Sequence, residues 1–150
     1  MIDTGDRAPA LDLDTDAGRR TDIGRASVVY FYPKDDTSGC TREGQDFTAL
    51  APDFAAAGVQ VIGVSKDSVA SHAKFRAKYD LKVALAADPD GVACTAWGVW
   101  VEKSMYGRKY MGIERATFLI DDNGQVVRAW HKVKVPGHAA EVLAAARALR

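Results

Sequence analysis

An α/β fold, with a mixed central sheet flanked by helices, follows from three features of this 150-residue chain. Two β-rich apolar runs, "SVVYFY" (Ser27 to Tyr32) and "VQVIGVS" (Val59 to Ser65), lack polar alternation and read as strands buried on both faces. Each is followed by a stretch with apolar residues on one helical face, as expected of helices that cover such a sheet. Further on, "ATFLIDDNGQVVRAW" places two strands around Asn123 and Gly124, a hairpin signal that makes this pair antiparallel. The length suits one domain, 1–150, that buries about two thirds of the surface its unfolded chain exposes.

In chain order, "LDLD" and "RRTDI" flank "TDAGR" as a short hairpin. The Ser27 to Tyr32 strand ends at Pro33, which has no N–H to extend a ladder. From Cys40 onward Phe47, Leu50 and Phe54 share a helical face; Gly44 and Pro52 predict a break between Thr48 and Pro52, and Gly58 predicts a stop. After the second strand, Asp67 or Ser68 can cap a helix with His72, Phe75 and Tyr79 on one side. "VALAAD" reads as a short strand and "GVACTAWGV" as helical. "VWVEKSMYGRKYMG" reads as a loop with solvated lysines rather than as a nucleic-acid or peptide surface. The chain closes on "HAAEVLAAARALR", a helix from His138 to Arg150 with Val142, Leu143, Ala146 and Leu149 on one side. Strand, helix, strand, helix, a small insert, then hairpin and helix is the order of the thioredoxin-like fold.

Composition narrows the function classes. Twenty Lys plus Arg balance twenty Asp plus Glu, so no bulk charge calls for nucleic acid or an anionic membrane. The absence of a leader pattern and of a membrane-length apolar run points to the cytoplasm. There Cys40 and Cys94 are expected as free or redox-active thiols rather than as a structural disulfide. His72, His131 and His138 are too scattered to predict a metal site, and no cofactor is expected; His72 reads as part of a helix face and His138 as part of a helix entry.

Cys40 carries the chemical interest. In α/β sheets, loops beyond the carboxyl ends of strands deliver side chains to helix N-termini, and "PKDDTSGC" delivers a cysteine. Asp36, Thr37 and Ser38 are suited to satisfy backbone donors there. An unperturbed thiol is only about 3% thiolate at pH 7. A helix N-terminus contributes about 0.3–1 kcal/mol, whereas a neighbouring arginine can favour the ionised form by about 1–3 pKa units. A nucleophilic cysteine here therefore predicts an arginine, distant in sequence, beside the sulfur. Full ionisation gains only about thirtyfold in rate, so groups that hold the substrate must supply the rest. The competing reading is a small buried hydrophobe at a helix start.

The stretch "FYPKDDTSGCTREGQDF" resembles the active-site segment of peroxiredoxins, whose Pro-x-x-x-Thr-x-x-Cys pattern is matched by Pro33, Thr37 and Cys40. The likeness continues through "VIGVSKDSVASHAKF", "DPDG", "YGRKYMGIERATFLIDDNG" and "HKVKVPGH", nearly the whole chain, and is to the bacterioferritin-comigratory or PrxQ type. It implies reduction of hydrogen peroxide and organic hydroperoxides by a thiolate at Cys40, which becomes a sulfenic acid. By the same resemblance Thr37 and the N–H groups of Gly39 and Cys40 hold the peroxide oxygens, Arg115 supplies positive charge, and Pro33 shields the sulfur. Glu43 matches the family's acid in Cys-Thr-x-Glu and either orients an arginine or is an ordinary first-turn acid. The implied reductant is thioredoxin, glutaredoxin or a small thiol, and the expected state is a monomer.

The chain departs from that pattern at the second cysteine. Many relatives carry a resolving cysteine five residues after the first, where Gln45 stands, or in the next helix, at the place of Arg76. Cys94 lies at neither position, so the preferred reading has an external thiol reduce the Cys40 sulfenic acid directly. In the alternative, Cys94 is the resolving residue, which needs local unfolding to bring the Cα atoms within about 7 Å. Ser38 stands where relatives often have proline. A thioredoxin-type reductase fails because Thr-Arg-Glu follows Cys40 with no second cysteine, and a cysteine phosphatase because no arginine closes a phosphate cradle. A thiol redox sensor or binding module without efficient turnover remains as the alternative function.

Overall fold

The computed structural model describes residues 1–149. Its elements run β1 (Ser27–Phe31), α1 (Ser38–Ala49), α2 (Ala51–Ala56), β2 (Gln60–Ser65), α3 (Val69–Tyr79), β3 (Ala84–Ala87), α4 (Val92–Ala96), β4 (Trp100–Met105), β5 (Arg108–Ile113), β6 (Ala116–Ile120), β7 (Val126–Trp130) and α5 (His138–Arg147). Five strands form one sheet in the order β3-β2-β1-β6-β7. β1 is parallel to β2 and β2 to β3, whereas β6 runs antiparallel to both β1 and β7. This is the mixed, helix-flanked sheet expected.

Alternation along β1 divides the interior. Val28, Tyr30 and Tyr32 face a layer that includes Phe47 of α1, Phe54 of α2, Phe75 of α3 and Val142 of α5. Val29 and Phe31 face the other side, against Leu11, Ala93 and Cys94 of α4, and Trp97. Each fully buried large apolar side chain contributes about 1.5–3 kcal/mol, which is why β1 lies at the centre of the sheet. Gly63 pairs with Tyr30, and a Cβ on it would lie 2.7 Å from the phenol ring. The missing side chain lets Tyr30 lean across β2 and stack on Phe47 with ring centroids 4.6 Å apart.

The expected break separates α1 from α2, and Pro52 sits in the first turn of α2, where its absent N–H leaves no bond unmade. Ser68 is the cap of α3, its hydroxyl accepting from the Ser71 N–H at 3.1 Å. Arg76, further along α3, binds Asp16 through two nitrogens and donates to the carbonyls of Leu81 and Val83. One guanidinium thus ties the N-terminal segment to the α3–β3 connection. The last helix was expected to reach Arg150, which lies outside the described residues; α5 itself ends at Arg147.

One expectation is corrected. The stretch "VWVEKSMYGRKYMG" is not a loop: β4 and β5 pair as a two-stranded antiparallel hairpin that turns at Tyr106 and Gly107. Both turn residues have left-handed φ, 51° and 76°, the backbone that matches the twist of a tight hairpin. Nor are all its lysines solvated. Lys103 is half-buried, packs on Gly112, and has its ammonium pKa pushed down by burial and by Arg115.

Topology then sets the site. Phe31, the last residue of β1, pairs with Ala116, the first of β6. Because the two strands are antiparallel, the loop leaving β1 and the residue entering β6 emerge at the same end of the sheet.

Candidate active site

That end brings Cys40 and Arg115 together across 75 residues of sequence. Arg115 Nη2 donates to Cys40 Sγ at 3.3 Å, and Nη1 donates to Glu43 Oε1 at 2.6 Å. Cys40 and Glu43 are three apart on α1 and so share its inner face, which lets one planar guanidinium fork reach both. Gly39 makes the approach possible, since a Cβ there would sit 3.2 Å from Arg115 Nη2. The Arg115 carbonyl accepts from the Val133 N–H at 2.9 Å, which holds the segment from the other side.

Burial gives these charges their force. Cys40 is 2% exposed and Glu43 1%. Burial pushes the Glu43 carboxyl up to about 7, against the pull of Arg115, and its second oxygen has no hydrogen-bond partner among the described residues. For Arg115 burial alone would depress the guanidinium, but the charges of Glu43 and Cys40 outweigh it and raise its pKa. Tyr30 lies beneath the same face, its phenol raised by burial and then by Glu43 and Cys40. His138 bonds Thr117 Oγ1 at 2.8 Å; burial takes its pKa down to about 4, with Arg115 adding to the fall and Glu141 opposing it.

The start of α1 is open at its backbone. Its first intrahelical bond runs from the Thr41 N–H to the Thr37 carbonyl, so the N–H groups of Ser38, Gly39 and Cys40 precede the ladder. Thr37 occupies the cap position without capping. Its hydroxyl donates instead to the Lys34 carbonyl at 2.8 Å. The expectation that Asp36 and Thr37 satisfy local donors is therefore corrected: Asp36 adopts a left-handed φ of 60° and binds Lys78 and Tyr79 on α3. Pro33 ends β1 as expected and lies exposed, after Tyr32 has made the last ladder bond to Val64.

Cys94 sits elsewhere. It is fully buried in the layer on the opposite side of the sheet, its N–H donating to Asp88 Oδ2 at 2.8 Å. Burial, then the Asp88 carboxylate, push its thiol pKa far up. Both cysteines are free. Sequence reasoning missed Lys103, Tyr30 and Asp35 near the site; only the unusual acid pair Asp35-Asp36 in the loop gave a hint. No group of three or more metal-ligating side chains occurs among the described residues, and none of their helices is long and apolar enough to cross a membrane.

Comparison with known proteins agrees with this geometry. Residues 4–129 match the model of the AhpC/TSA family. Peroxiredoxin Bcp of Xanthomonas campestris is 51% identical over 145 residues, covering 97% of this chain and 91% of that protein. The Bacillus subtilis peroxiredoxin Bcp is 44% identical over 146 residues, covering 95% and 93%. A solved structure of the Xanthomonas campestris bacterioferritin comigratory protein, studied for alkyl peroxide reduction, superposes with a TM-score of 0.88 at 47% identity, over 96% of this chain and 99% of that one. None of these relatives supports the sensor or binding-module alternative. An arginine-held cysteine at a helix start, on this sheet and with these relatives, places the chain in the AhpC/TSA family, as a thiol peroxidase of the bacterioferritin-comigratory (PrxQ) type of peroxiredoxin.

Proposed function

We propose that Cys40 is the peroxidatic cysteine and that the enzyme works by a one-cysteine route, reducing hydrogen peroxide and alkyl hydroperoxides at the expense of an external thiol. The observation that carries this reading is the 3.3 Å contact from Arg115 Nη2 to Cys40 Sγ. A guanidinium can only donate, so it favours a sulfur that bears negative charge. The thiolate attacks the terminal peroxide oxygen, the O–O bond breaks, and the electron pair leaves on the other oxygen, which departs as water or an alcohol after taking a proton. Sulfur is oxidised by two electrons to a sulfenic acid. The open N–H groups of Gly39 and Cys40 hold the peroxide oxygens, and Arg115 offsets charge on the leaving one. The Thr37 hydroxyl, its hydrogen directed to the Lys34 carbonyl, accepts from the peroxide O–H. Pro33 shields the sulfur.

Regeneration follows from where the second thiol lies. Cys94 belongs to the layer across the sheet from Cys40, and its high thiol pKa opposes attack on the sulfenic acid. A thioredoxin, a glutaredoxin or a small thiol then condenses with Cys40, releasing water, and a second thiol frees the cysteine as the reductant's disulfide. Peptide mass mapping after one equivalent of hydrogen peroxide, with a sulfenic-acid trap, tests the scheme. Trap adduct on Cys40 without a linked peptide is expected, and Cys40→Ser removes peroxide consumption. A Cys40 to Cys94 crosslink overturns the one-cysteine route, and full activity of Cys40→Ser overturns the site.

A further inference from the structure

The loop that carries Cys40 is fastened to α3 by two consecutive aspartates. Asp36 binds Lys78 Nζ at 2.9 Å and the Tyr79 hydroxyl at 2.7 Å on the exposed side. Asp35 turns inward and binds His72 and Ser71, seven residues earlier on the same helix. The two attachments lie two turns apart, so the loop is held along α3 rather than at a point. Arg76, between them, bolts α3 to Asp16 and to the carbonyls of Leu81 and Val83.

The inner attachment is an ion pair. His72 Nε2 faces the Ala86 carbonyl at 2.9 Å, and a carbonyl only accepts, so Nε2 carries hydrogen. Nδ1 lies 2.7 Å from Asp35 Oδ2, an oxygen that also accepts from Ser71, while Asp35 Oδ1 accepts from the Tyr32 hydroxyl at 2.6 Å. A carboxylate that receives this many donors is ionised, and Nδ1 donates to it as well. His72 is therefore an imidazolium with no exposed side-chain surface, paired with a carboxylate 4% exposed. The Asp35 N–H donates in turn to Asp67 Oδ2 at 2.9 Å, which also takes the Ser65 hydroxyl at 2.6 Å.

We propose that His72 is a positioning residue for the peroxidase reaction: paired with Asp35, it clamps the β1–α1 loop onto α3 and so sets the helix start that presents Cys40 and its backbone donors. The role rests on Cys40 being the peroxidatic cysteine. The charged and titratable groups facing His72 are Asp35 from the loop, Tyr32 just after β1 and Asp67 from the turn before α3. Burial disfavours the imidazolium, but Asp35 and the Ala86 carbonyl outweigh it and raise its pKa; burial likewise opposes the Asp35 anion, and His72 and Tyr32 outweigh it and lower the pKa. A histidine raised in the fold contributes stability fully present below about pH 6.5 and lost as pH rises through its folded value; the lowered Asp35 contributes above about pH 3.8. The clamp is thus closed below the folded value of His72, itself above the ordinary imidazole value, and opens as pH rises through it, when an imidazole lone pair faces the carboxylate.

The test reads both geometry and titration. Second-order peroxide rates are measured against pH for the wild type, His72→Asn and Asp35→Asn, alongside amide hydrogen exchange of residues 34–39. The wild-type rate is expected to fall along a limb as pH rises through the folded value of His72. Each variant loses that limb and reacts about 10–100-fold more slowly at pH 7, as a misplaced catalytic group does. Loop amides of the wild type exchange faster than the intrinsic base-catalysed rise once His72 deprotonates. Rates and profiles of both variants that overlay the wild type overturn the clamp, as does loop exchange that follows only the intrinsic rise. The exchange measurement needs no variant to fold and no peroxide to react, so it separates failure of the clamp from failure of the Cys40 assignment.

Discussion

Two cysteines, equally hidden from water, differ in almost everything else. Cys40 is 2% exposed and Cys94 0%, and each is part of a small helix packed on the sheet. One has a guanidinium at 3.3 Å; the other has the carboxylate of Asp88 at its helix start, with its thiol pKa driven up first by burial and then by that charge. Burial alone silences a thiol, so the reactivity proposed for Cys40 rests on the sign of the neighbouring charge and on backbone donors left open beside the sulfur.

The sharpest way to break this contrast is to remove the cation. Arg115→Met is expected to slow peroxide reduction by about 10²–10³-fold in stopped-flow measurements, the usual cost of deleting one charge-stabilising donor. A rate within threefold of the wild type would mean that the guanidinium does not distinguish the two sulfurs. The opposite arm concerns Cys94. Native protein should resist alkylation there until urea is added, and Cys94→Ser should leave turnover with a small thiol within about twofold while lowering stability by about 0.5–3 kcal/mol, the usual range for a point substitution. Equilibrium urea unfolding measures the second quantity.

Glu43 allows a finer adjustment, because it competes with Cys40 for the same guanidinium. Its folded pKa, about 7, is raised above an ordinary carboxyl value, so the stability it contributes is complete below about pH 4.5 and is lost as pH climbs through 7. That loss is up to about 3 kcal/mol, and Glu43→Gln should flatten it in unfolding curves taken from pH 4 to 8. The peroxide rate of the same variant should lose its inflection near 7 while changing by about fivefold or less. The smallest effect belongs to His138, depressed to about 4, whose contribution is present above about pH 6.5 and disappears as pH falls through 4. His138→Gln should make acid unfolding less steep by about 1–2 kcal/mol over that interval, and an unchanged acid limb would mean that the ring is not held neutral by the fold.

Much of this was legible in local patterns. The apolar runs of β1 and β2, the break before Pro52 and the loop from Pro33 to Cys40 each carry their cause within a few residues. Arg115 was reachable because a thiolate needs a cation, although no spacing rule locates one 75 residues away. The β4–β5 hairpin escaped because its turn places Tyr106, not asparagine or glycine, at a left-handed φ of 51°. Thr37 and Asp36 were misjudged for a related reason. Both have the chemistry of local caps, but Lys34, Lys78 and Tyr79 supplied partners that outcompeted the nearest backbone donors. The imidazolium at His72 was invisible for want of any signal that a histidine on a helix face would meet an aspartate 37 residues earlier.

Arg76 stands where the family resemblance leads one to expect a second sulfur, and its guanidinium is committed to holding Asp16 and two carbonyls of the α3–β3 connection. On the proposed one-cysteine route the enzyme has no internal means of resetting itself. Each turnover on that route waits on a collision with a thiol from outside, so throughput is expected to rise with the supply of that thiol rather than with any motion of the chain. When the supply runs short, the sulfenic acid at Cys40 outlives its welcome, and a second peroxide can carry it to the sulfinic state from which thiols do not bring it back.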